Sequence, residues 1–158
     1  MYKRQIGGAV TNAGDLILTG GTLSKSVSGA GLTTITGNTT NSAGINQGVK
    51  VNSGITLTNN AALGSASGSV TNAGTINSSA DNIKGTVSNT GSLNLSGGTL
   101  SKAVSGSGKT TITGNTTNSG GINQGVTVNS GVTLTNNAAL GSDSGTITNS
   151  CLLYTSDA

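Results

Sequence analysis

Val10-Thr-Asn12-Ala-Gly14-Asp-Leu16-Ile-Leu18 returns in altered form as Val87-Ser-Asn89-Thr-Gly91-Ser-Leu93-Asn-Leu95. Shorter variants lie between and beyond these two: Val27-Ser-Gly29-Ala-Gly31, Val51-Asn52-Ser-Gly54, Val70-Thr-Asn72-Ala-Gly74, Val104-Ser-Gly106-Ser-Gly108 and Val128-Asn129-Ser-Gly131. Apolar residues two apart after the glycine, such as Leu16 and Leu18 or Leu93 and Leu95, leave one face of a strand, whereas Ile17 and Asn94 leave the other. The final glycine suits a corner that excludes a Cβ. Asn12, Asn52, Asn72, Asn89 and Asn129 tolerate left-handed backbone there and can stack as an amide ladder.

The phrase also measures the chain. Its last glycine falls at Gly14, Gly31, Gly54, Gly74 and Gly91, in steps of 17, 23, 20 and 17 that total 77, and then at Gly108 and Gly131 after 17 and 23. A longer duplication has the same offset of 77: residues 18–73 align without a gap on 95–150, with 45 of 56 positions identical. Short alternating apolar runs at a period near 20, with no helical spacing, predict an all-β chain. The expected fold is a single-stranded β-solenoid without helices, of about seven coils, with long repeats 6–82 and 83–150. Each full repeat is expected to contain four coils of about 19 residues. One coil cannot bury its own apolar face, so stability is expected to come from stacking.

The step of 23 is read as a coil with extra residues, around Thr39-Thr-Asn41-Ser-Ala-Gly-Ile-Asn46-Gln47 and its copy Thr116-Thr-Asn118-Ser-Gly-Gly-Ile-Asn123-Gln124. Solenoid insertions emerge as loops. Asn41, Asn46, Gln47, Asn118, Asn123 and Gln124 are therefore the candidate recognition residues.

Composition excludes several functions. The two ends differ from what lies between them. Met1-Tyr-Lys-Arg-Gln5 and Cys151-Leu-Leu-Tyr-Thr-Ser156 back-translate into the two strands of one sequencing adapter, and the repeat register, which predicts glycine at 151, breaks there. Residues 1–5 and 151–158 are accordingly expected to be non-native flanks of an internal fragment, 6–150. Between them stand no aromatic residue, proline, cysteine, histidine or glutamate. The charges there are Lys25, Lys50, Lys84, Lys102 and Lys109 against Asp15, Asp81 and Asp143. Such sparse, scattered cations without stacking aromatics argue against nucleic-acid binding. Scattered aspartates supply no general acid–base pair, and no His/Cys set suits a transition metal, so no catalytic, cofactor or metal residue is expected. Gly106-Ser-Gly108-Lys109-Thr110 lacks the first glycine of a phosphate loop, since position 103 is alanine. Threonine pairs such as Thr34/Thr36 and Thr56/Thr58 do not recur at one offset from the phrase glycine, which argues against an ice-binding array.

Val-Thr-Asn-Ala-Gly-x-Ile/Leu, with Asn-Ser-Gly-Ile-Thr-Leu and Leu-Ser-Gly-Gly-Thr-Leu, resembles the repeat regions of bacterial autotransporter passengers and related filamentous adhesins. The resemblance covers essentially all of 6–150 and rests on framework residues. It implies a right-handed parallel β-helix on the surface of a Gram-negative cell, acting as a non-enzymatic adhesin or rigid stalk. Expected partners are glycans, host or abiotic surfaces, or further copies of the chain, with no insertion of this segment into a membrane. The alternative is a purely structural spacer carrying a functional domain elsewhere. More distant readings are an ice-binding solenoid or a fragment of a polysaccharide-processing enzyme.

Overall fold

Among the described residues every ladder between strands is parallel, joining residues 16 to 21 positions apart, and together the ladders wind the chain into a β-solenoid of about eight turns. The computed structural model describes residues 8–142 and 145–150, and the backbone of 152–155. Each turn carries three strand segments. The first three sides are represented by Val10–Thr11, Asp15–Leu18 and Gly21–Leu23. One turn later the chain passes through Val27–Ile35, which serves sides one and two, and Thr39–Asn41 on side three. The one helical feature among the described residues is a single 3-10 turn, Ala80–Asn82.

Alternation explains the core. Val49, Val70, Val87 and Val104 stack on side two, and Leu57, Ile76 and Leu93 stack on side three. All point inward and are fully buried, or nearly so. Most of their outward neighbours are threonine, serine, asparagine or lysine; on the first turn the outward Ile17 is 61% exposed. With adjacent strands about 4.8 Å apart, eight turns make a rod on the order of 40 Å long.

The long repeat does not close on itself. Val10 lies under Val27, then Ile45, Leu63 and Ile83, four full turns along side one. Its duplicate, Val87, is not on that column: it stacks on Val70 and Val49, on side two. Leu18 similarly belongs to side two with Ile35 and Val51, whereas its duplicate Leu95 stacks on Ser78 on side three. Seventy-seven residues therefore span four and one-third turns, and each copy is rotated by one side relative to the copy before.

The expected solenoid of about seven coils agrees with the about eight turns observed, while this rotation corrects the expected insertion. Gly14 and Gly31 occupy the corner between sides one and two. Gly54, Gly74, Gly91 and Gly108 occupy the next corner, and Gly131 the third. A step of 23 is one turn plus one side, so the six steps between the seven phrases span six and two-thirds turns rather than six. No residues are inserted at 39–47, where Thr39 pairs with Leu57 and Ile45 with Leu63, 18 residues on in both cases. The chain lengthens elsewhere. Val49 pairs with Val70, 21 residues on, across an excursion at 64–69, and the register slips at the glycine bulge between Ser28 and Leu32.

The corner asparagines do not adopt left-handed backbone: every positive-φ residue among those described is glycine. Of the last glycines of the phrase, Gly54 and Gly131 take that conformation, with φ of 75° and 76°. Gly31, Gly74, Gly91 and Gly108 are glycine for a different reason. A Cβ on any of them would run into the backbone of the preceding turn. Gly14, on the first turn, has open space.

Candidate functional site

Four of the six expected recognition residues are inside the solenoid. Asn41, Gln47, Asn118 and Gln124 are each no more than 1% exposed, and only Asn46 and Asn123 face solvent. A surface role for the four is therefore replaced by an internal one, because they lie on inward positions of regular strands. The Asn41 amide nitrogen donates to Asn59 Oδ1 at 2.6 Å and to the Ala62 carbonyl at 3.1 Å, and its Oδ1 accepts from the Gly44 N–H at 2.9 Å. Asn59 continues the chain to Ser78 Oγ at 2.9 Å. Asn118 repeats the arrangement one side further round, donating to Asn136 Oδ1 and Ala139 O and accepting from Gly121 N–H. Gln47 and Gln124 pair with the buried hydroxyls of Thr33 and Thr110 at 2.8 and 2.6 Å.

The expected amide ladder exists in part. Asn72 donates to Asn89 Oδ1 at 2.7 Å, whereas Asn12 donates to backbone carbonyls of Gly14 and Leu32. Asn52 and Asn129 stand one position beyond the inward columns, on Val51 and Val128, and do not join that amide chain.

The outer face of side three holds a feature that the phrase-based reading missed. Thr22, Thr40, Thr58, Asn77, Asn94, Thr111, Thr127 and Thr148 are register partners in unbroken succession. None is buried. Offsets counted from the phrase glycine hide this file because the phrase changes side twice. The equivalent file on side two is interrupted by Ile17 and Lys50, and the duplicates of those residues, Asn94 and Thr127, are what keep side three uniform. Asn94 also donates to Asn77 Oδ1 at 2.7 Å, tying neighbouring rungs together.

Two grooves border this file. One, of about 630 Å³, is lined by hydroxyl and carboxamide groups, among them Thr58, Asn60, Asn77, Ser79, Asn94 and Ser96. The other, of about 450 Å³, lies beside Lys109, between the bulge at 106–108 and the backbone near Gly145. Among the described residues no group of three or more His, Cys, Asp or Glu stands together, and no helix is long and apolar enough to cross a membrane. The fold and these faces define a β-solenoid repeat protein. No protein family, curated protein or solved structure matches the chain.

Proposed function

We propose that this chain is a non-catalytic, surface-displayed rod that acts by adhesion along its outer faces. The observation that carries the reading is the file from Thr22 to Thr148, an uninterrupted row of short neutral hydrogen-bonding groups running the length of the solenoid. Each contact of this kind is weak in water, because it replaces hydrogen bonds already made to solvent. A row spaced at about 4.8 Å engages many at once, and its avidity exceeds any single contact. A display site on the outside of a Gram-negative cell rests on the likeness to autotransporter passengers.

The test is attachment. Beads coated with the intact chain are expected to adhere to glycan-bearing cell surfaces, and replacing Thr40, Thr58, Asn77 and Thr111 together with alanine is expected to abolish it while leaving the melting temperature within a few degrees. No attachment by the intact chain favours the spacer reading. The same file supports a second reading, adsorption to an ordered hydroxyl lattice such as ice. Thermal hysteresis in a freezing assay, lost in the same variant, distinguishes it.

A further inference from the structure

The groove beside Lys109 is made of parts that both long repeats contain: a glycine bulge, a bare glycine on the following turn, and an excursion beyond it. In the first copy these are Gly29–Gly31, Gly48 and the segment around Gly68, and leucine covers the floor. A methyl group added at Gly48 would lie 3.4 Å from Leu32 Cδ1. In the second copy Lys109 holds the place of Leu32. A methyl group added at the matching Gly125 would meet only backbone atoms of Thr146 within 4 Å. Exchanging leucine for lysine thus uncovers the glycine floor and leaves a cation at its rim. The hydroxyl-bearing Thr127, Thr146 and Thr148 line the same space. Thr127 itself replaces Lys50 of the first copy. The bulge beside it stays glycine by necessity, since a Cβ at Gly106 or Gly108 would collide with the turn below.

We propose that this groove binds a carboxylate-bearing sugar of an acidic polysaccharide, which makes it the specific subsite of the adhesive reading on which the proposal rests. A glycine floor accepts the face of a sugar ring, the threonine hydroxyls exchange hydrogen bonds with ring hydroxyls, and the lysine ammonium meets the carboxylate. The volume of about 450 Å³ is of the size of small-ligand sites. A single solvated lysine gives a weak, salt-screened contact, so the site selects among polymers that the neighbouring Thr/Asn file helps to hold. Asp143, adjacent in sequence, lies outside the described residues; alanine holds its place in the first copy.

The experiment titrates the full chain with a hexamer of galacturonic acid and, separately, with a neutral glucose hexamer, followed by calorimetry and by cell-surface attachment. The acidic hexamer is expected to bind at one site, at least tenfold more tightly than the neutral one, and to weaken at least tenfold in Lys109→Leu. That variant installs the residue the first copy already holds, so its melting temperature is expected to be unchanged. Leu32→Lys is expected to raise the stoichiometry from one to two. Unchanged binding by Lys109→Leu or equal binding of both hexamers overturns the proposal. Attachment to cells without any binding of the acidic hexamer overturns it too, while sparing the adhesive reading. Loss of attachment altogether removes both.

Discussion

Asn118→Ala tests the claim that the expected recognition residues are internal struts. The Asn118 side chain makes three hydrogen bonds from a fully buried position: to Asn136 Oδ1, to Ala139 O, and from Gly121 N–H. Alanine removes all three. The Ala139 carbonyl keeps a second donor, the Ile122 N–H at 2.8 Å, so it remains satisfied. The Gly121 N–H and Asn136 Oδ1 make no other hydrogen bond among the described residues, and an orphaned buried polar group costs about 1–3 kcal/mol. For two such groups the expected destabilisation is therefore about 2–6 kcal/mol. Asn123, five residues on and exposed, serves as the control, and Asn123→Ala is expected to stay within about 0.5 kcal/mol. Urea unfolding followed by circular dichroism gives both values, provided the slope is unchanged. The reasoning fails if Asn118→Ala costs less than about 1 kcal/mol or no more than Asn123→Ala. The first copy supplies an internal repeat of the measurement, with Asn41→Ala expected to match Asn118→Ala and Asn46→Ala to match the control.

Four further outcomes follow from the register. With Cys151 replaced by serine, cysteines at Thr34 and Lys50, which are register partners, are expected to be joined by a short thiol-bridging reagent. Cysteines at Thr34 and Thr58, on different sides of the rod, are not, and the reverse pattern would refute the one-third rotation. Leu95→Ala is expected to cost about 2–5 kcal/mol as a cavity in a filled column, while the outward Thr56→Ala costs little; equal losses by thermal melting would contradict the assigned faces. Gly91→Ala is expected to destabilise strongly, since its Cβ would collide with the Gly74 carbonyl, whereas Gly14→Ala, with open space around it, is expected to be neutral; chemical denaturation compares them. A protein comprising residues 6–150 leaves strand edges unpaired at both ends and is expected to associate end to end, so a monodisperse monomer in concentrated sedimentation runs would count against it.

The fold class was legible because a β-solenoid writes its geometry directly into sequence. Alternation at a spacing of two marks the strands, and a period near 20 marks the turn, without any long-range information. The core also followed: Leu93, Leu95, Leu57 and Leu134 are buried as the alternation requires. The candidate site was less legible. Asn41, Gln47, Asn118 and Gln124 look like surface residues by composition, yet each sits at an inward position: the two asparagines bond backbone groups of their own turn and the next, and the two glutamines bond buried threonine hydroxyls of the turn before. Polarity alone does not distinguish a solvated amide from a buried one with partners.

By itself the sequence determined that this chain is a stack of parallel coils, how long its repeat is, and which apolar residues after the phrase glycine alternate inward. Only the tertiary structure decided how the repeat is phased around the axis. A turn holds about 18 residues, and 77 is not a whole multiple of that, but a linear period carries no azimuth. The ladder pairings supply it: Val87 on Val70, Leu95 on Ser78. Those pairings alone reveal that residues unrelated by the duplication, from Thr22 through Asn77 to Thr148, share one outer face.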